Sequence, residues 1–172
     1  KKLKEIQKNI NDLEAAFKIK NIKIIDTNNL TPFEKLTKLK KQMNEQNIQS
    51  TIEDENRNII KDKKHGTFTL RQQVLHDFPP KELNKILDQG KKDIKKGIIL
   101  AFAIDDKEEK IGVAVGITKD LTDKYDAVKL VKIASEIIGG KGGGGRKDFA
   151  QAGGTDKDKI KEAFEALSKK IN

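Results

Sequence analysis

The sequence predicts an α/β protein: an N-terminal antiparallel helix pair followed by a small mixed-sheet α/β sandwich. Three observations predict it. Apolar residues recur at helical spacing through residues 1–64. After Gly66, short runs of strand character alternate with amphipathic helical stretches. Between the last two helical stretches lies Gly139 to Gly154, which holds 8 of the chain's 13 glycines. The expected division is a helical subdomain over 1–65 and a globular α/β subdomain over 66–172.

Leu3, Ile6, Ile10, Leu13 and Phe17 alternate spacings of three and four, a heptad seam among Lys, Asn and Glu. Two heptads are too short to hold a coiled coil alone. The seam reads as one helix of an intramolecular hairpin or as part of a dimer interface, and the two can coexist. Asp26 to Leu30 is a turn cluster. Thr31, Pro32 and Glu34 form a capping-box start for the second helix. Phe33, Leu36, Leu39 and Met43 give that helix a thin apolar stripe, which Ile48 and Ile52 extend. The pattern allows it to continue past Ile59 to about Lys64.

Gly66 to Phe78 reads as a strand, ended by Pro79-Pro80. A helix follows, with Leu83, Ile86 and Leu87 on one face. Gly97 to Ile104 is a continuous apolar run, the pattern of a central strand covered on both faces. Asp105-Asp106-Lys107 turns the chain, and Lys110 to Thr118 pairs back as a hairpin. Leu121 to Ile138 is helical, with Gly139 at the position of a helix-ending glycine. A short strand is expected near Phe149. Thr155 to Asp158 opens the last helix, whose buried face is Ile160, Ala163, Phe164, Leu167 and Ile171.

The formal charge is +9, spread over both halves. Such a balance fits a nucleic-acid binder, and equally a Lys-rich chain with no binding role. Only Arg57, Arg71 and Arg146 are arginines among 36 cations. Cysteine is absent, which excludes disulfides and Cys-based zinc sites. No stretch reaches the ~20 apolar residues of a membrane span. The chain begins at Lys1 rather than Met, as a piece of a longer protein would.

Candidate chemistry is sparse. His65 and His76 have no companion at metal-ligand spacing. Asp105, Asp106, Glu108 and Glu109 read as a solvated hairpin tip. No nucleophile–base set and no P-loop is present. The glycine cluster stands out instead. Bare amides can form an anion-binding nest, and Lys141 and Arg146 flank the run with full charges. A flexible linker is the rival reading, opposed by the amphipathic flanks.

The stretch Gly-Gly-Lys-Gly-Gly-Gly-Gly-Arg-Lys-Asp-Phe-Ala-Gln-Ala-Gly-Gly resembles the C-terminal signature of alanyl-tRNA synthetases, in their DHH-associated domain. Lys147 departs from the Pro usual there. The resemblance extends more weakly upstream to about Gly66. It implies the appended C-terminal domain of an alanine–tRNA ligase, cytoplasmic and without catalytic residues of its own. The parent would be the enzyme, using ATP, Mg and Zn elsewhere in its chain. The implied partner is tRNA(Ala), docked toward aminoacylation and editing modules outside this stretch. The RNA-binding residues would be Lys141, Gly142, Gly143, Gly144, Gly145, Arg146, Lys147, Gly153 and Gly154. Dimerisation would use Leu3, Ile6, Ile10, Leu13 and Phe17. Two alternatives stay open: the substrate-binding half of a DHH-type phosphodiesterase, and a purely structural dimerisation module.

Overall fold

The computed structural model describes residues 1–171. The chain divides into two compact units, Lys1–Ser50 and Thr51–Asn172. This boundary falls well before the 65/66 division expected from composition.

In the first unit, α1 spans Lys2–Ile19 and α2 spans Pro32–Glu53, crossing the unit boundary near its end. The capping box forms as expected. The Thr31 hydroxyl accepts from the Glu34 N–H at 3.3 Å, and the Glu34 carboxylate accepts from the Thr31 N–H at 2.9 Å. Ile10, Phe17, Leu36 and Leu39 make a buried cluster, with Ile6, Leu13 and Met43 against it. Most of the heptad seam is therefore used inside the unit. Leu3, at 70% exposure, is its one open member, and Phe33 also lies outside the core at 67%.

The antiparallel hairpin is corrected. Glu14 pairs with Lys35, and Lys20, just past the end of α1, donates to Asn47. The C-terminal end of α1 thus lies toward the C-terminal half of α2. The connecting segment reverses the chain instead. Gln42 holds its backbone at Lys23 and Ile25, and Lys38 holds it at Asp26. That segment carries Ile22 and Ile24 into the cluster. A spacing pattern specifies which helical face is buried, but not the direction of its partner.

The second helix also stops earlier than expected. After Glu53, Asp54 folds the chain over itself, accepting from the Asn56 N–H and from Arg57 Nε. Asn58–His65 is then a strand, β1, and not helix. It pairs antiparallel with β2, Phe68–His76, over its full length. Helix α3, Leu83–Ile94, crosses to β3, Gly97–Asp105, which lies parallel to β2. Strand β4, Lys110–Ile117, returns antiparallel. Then come α4 (Ala127–Ile137), β5 (Gly143–Arg146), β6 (Phe149–Gly154) and α5 (Ile160–Lys170). The sheet is mixed and six-stranded, in the order β1-β2-β3-β4-β6-β5.

Strand β3 is the central, doubly covered strand that its apolar run predicts, with residues 97–104 all buried. On one face Leu70, Ile98, Leu100, Phe102, Val113 and Val115 join Leu130, Val131 and Ala134 of α4 and Ala163 and Leu167 of α5. Phe102 meets the Phe164 ring edge to face at 4.9 Å. The other face belongs to α3, whose Gly90 lets the helix approach Ile99 and whose Leu87 lies over Gly116.

Candidate functional site

The glycine cluster is not a loop. Gly143 to Arg146 forms β5, an edge strand, joined to β6 through Lys147 and Asp148. Its approach is built by the end of α4. Gly139 has a φ of +80°, and its N–H reaches the Glu136 carbonyl. The Gly140 N–H donates to the Ser135 carbonyl at 2.7 Å. These two bonds are the Schellman ending of a helix, as a glycine at 139 foretells.

Ser135, fully buried, is the hub that the sequence did not single out. Its hydroxyl donates to the Gly153 carbonyl at 2.9 Å and accepts from the Gly142 N–H at 3.2 Å. It thereby ties α4 to both ends of the glycine motif. The only available signal was a hydroxyl on an otherwise apolar helical face, with a glycine pair four residues on. The N–H groups of Gly139, Gly140 and Gly142 are thus engaged inside the fold. An anion nest built from them is ruled out. The remaining bare backbone is the free edge of β5, where alternate amides point away from β6.

The two flanking cations sit at different places: Lys141 precedes β5, ahead of the positive-φ Gly142, and Arg146 is the last residue of the strand. Arg146 is 77% exposed and touches Asp148 at 3.3 Å. Such an exposed pair contributes about 0–1 kcal/mol. The turn itself is held by backbone. The Asp148 carbonyl accepts from the Ile117 N–H at 2.9 Å and from Lys91 Nζ at 3.0 Å. The Lys147 carbonyl accepts from the Ala127 N–H at 2.9 Å. Lys147 leaves its side chain exposed.

The glycines differ in what holds them. A side chain at Gly140 would overlap the Gly153 carbonyl and the Ser135 hydroxyl. One at Gly143 or Gly145 would strike the backbone of β6. At Gly144 a Cβ would meet nothing within 4 Å, and the backbone there is not left-handed. Gly153 is almost as open, with its nearest contact at 3.8 Å. Two glycines of the motif are therefore not demanded by the fold.

Together these elements define a small mixed-sheet α/β domain with a glycine-rich edge strand and an exposed arginine at its end. The comparisons give its family. Residues 68–172 match the DHHA1 domain, and the chain belongs to that family. It is 53% identical over 87 residues to the alanine–tRNA ligase of Hyphomonas neptunium, covering 51% of this chain and 10% of that one. It is 43% identical over 104 residues to the alanine–tRNA ligase of Bradyrhizobium diazoefficiens, covering 60% and 12%. The crystal structure of the C-Ala domain from Aquifex aeolicus alanyl-tRNA synthetase superposes with a TM-score of 0.58 at 32% identity, covering 64% of this chain and 96% of that domain. The chain spans only about a tenth of the length of the curated relatives it matches. Among the described residues, no helix is long and apolar enough to cross a membrane.

Proposed function

We propose that this chain is the C-terminal domain of an alanine–tRNA ligase and that it holds tRNA(Ala) by its sugar–phosphate backbone along the free edge of β5. The aminoacylation and editing chemistry belongs to the parent, outside this chain. The observation that carries the reading is Gly144. It is a glycine with room for a side chain and no backbone need for its absence, one residue from Gly145 and two from the exposed Arg146. Glycine costs conformational entropy on folding, so its use at such a position is explained by a ligand that comes close to the backbone. Arg146 supplies the fixed fork of donors suited to a phosphate. Lys147 adds charge beyond the strand end, and Lys141 adds charge ahead of its start.

Replacing Arg146 by Ala tests the reading. The affinity for tRNA should fall by about 1–3 kcal/mol, the range for charge-assisted hydrogen bonds. The slope of log affinity against log salt should flatten by about one. The melting temperature should hold, because backbone bonds secure the turn. Unchanged tRNA affinity with a lowered melting temperature would leave Arg146 as no more than a tether for Asp148.

A further inference from the structure

We infer that the α3-side face of the β5–β6 hairpin is a stacking shelf for a flat nucleobase of the bound RNA, with the Phe149 ring as its platform. The inference rests on the RNA-binding reading above and adds the face, the residue and the mode of contact.

Register places the shelf. Along β6, Ala150 and Ala152 enter the main core under α4 and α5. Phe149, Gln151 and Gly153 alternate to the opposite face, since successive side chains of a strand point to opposite sides. In the antiparallel ladder, Arg146 lies directly opposite Phe149, and Gly144 opposite Gln151. On the other side Gly116 of β4 lies opposite Phe149. The space over Gly116 is taken by Leu87 and Lys91 of α3, each 3.3 Å from where a Cβ would stand. Helix α3 therefore covers β4 beside Phe149 and reaches the hairpin turn through Lys91.

The hairpin face beyond it presents Phe149, half-buried, and Arg146, exposed, side by side. Gln151 is turned away, its amide donating to the Pro80 carbonyl at 2.7 Å. Gly144 and Gly153, the two glycines the fold does not demand, lie on this same face. Phe149 makes no ring contact with another aromatic among the described residues. An aromatic ring beside a guanidinium, with two bare glycines on the same face, is what a base needs to lie flat with its phosphate within reach. Lys91 Nζ, fixed on the Asp148 carbonyl, adds a cation at the rim. The competing account is that Phe149 only packs the hairpin against α3.

The test measures an in-vitro transcribed tRNA(Ala) binding to the 172-residue chain by fluorescence anisotropy over a salt series. Phe149→Leu keeps an apolar side chain and removes the ring. It should weaken binding about 5- to 100-fold, the worth of one base–aromatic stack. The salt slope should stay unchanged, because no phosphate contact is lost. Phe149→Trp should restore binding. Unchanged affinity in Phe149→Leu overturns the shelf. So does a loss that follows a lowered melting temperature and that Trp does not rescue, which assigns Phe149 to packing. If Arg146→Ala weakens binding while Phe149→Leu does not, the shelf alone falls. If the unsubstituted chain shows no salt-dependent tRNA binding, the RNA-binding reading falls with it.

Discussion

Gly140 and Gly144, four residues apart, meet opposite demands. A methyl at Gly140 would run into the Gly153 carbonyl and the Ser135 hydroxyl, and so into the joint between α4 and β6. A methyl at Gly144 would meet open space. Gly140→Ala should therefore lower stability by about 1–3 kcal/mol, the usual cost of an overpacked site. Gly144→Ala should leave the melting temperature level or slightly higher, since it removes backbone freedom from the unfolded chain. It should still weaken tRNA binding, as the Cβ keeps the phosphate backbone off the strand edge. Thermal scans and binding isotherms on the two variants check both halves. Stable Gly144→Ala protein with full affinity would reduce the motif to packing. Sequence alone marks the motif but cannot sort its glycines. Gly139 was legible because a helix-ending glycine has a local signature. The others are sorted only by which strand lies beside which.

At the scale of elements, the legible strands were those with a buried face. The run Gly97 to Ile104 shows its burial in its own composition, and the alternation in Lys110 to Ile117 shows its pairing. Strand β1 shows neither. Asn-Ile-Ile-Lys-Asp-Lys-Lys-His is an exposed edge strand guarded by lysines, and such strands carry little apolar signal. It is held by a contact no pattern reveals. Arg71 of β2, its side chain only 10% exposed, donates to both Asp62 oxygens at 2.8 and 3.0 Å. It also donates to Asp93 of α3 at 3.0 Å. One guanidinium thus clamps the edge strand and a helix to the sheet. Arg71→Gln should cost about 1–3 kcal/mol in a urea titration, because it leaves two carboxylates facing each other without their cation. The acid side has a definite sign. The Gln89 amide, and then Arg71, hold the Asp93 carboxyl below the usual carboxylate range. A lowered folded-state value stabilises the protein above that range, and the gain disappears as pH falls through the folded value. Stability measured from pH 7 down to about pH 3 should fall less steeply in Arg71→Gln than in the parent. An equal slope would mean that Asp93 draws nothing from the clamp.

For the whole molecule, the useful question is where the chain can be cut. Composition puts the boundary at 65/66, because the lysine-rich character of the helices runs on through β1. The folded chain puts it at 50/51. The two cuts differ in what they remove. A chain starting at Thr51 keeps β1, with its eight residues registered on β2, the clamp from Asp62 to Arg71, and the Asn58 amide that links the Ile52 carbonyl to Gln73. A chain starting at Gly66 removes all of these. It strips β2 of its partner on the β1 side and leaves Arg71 and Gln73, now 8% and 4% exposed, facing water or one another. β2, still paired with β3 on its other side, would then offer a long, apolar strand edge to other molecules. Residues 51–172 should therefore unfold cooperatively and keep most of the tRNA affinity, since the β5–β6 hairpin lies wholly within them. Residues 66–172 should be aggregated or far less stable. Residues 51–172 beside the full chain also test self-association. Ile10 and Phe17 are buried inside the first unit, so any dimer built on the helices must use its open surface, where Leu3, Ile19 and Phe33 stand exposed. Sedimentation of residues 51–172 as a monomer beside a dimeric full chain would place the contact on that surface. The same oligomer from both would move it to the α/β unit. A well-folded 66–172 with full stability would show that β1 belongs to neither unit's core, against the register and the clamp that bind it.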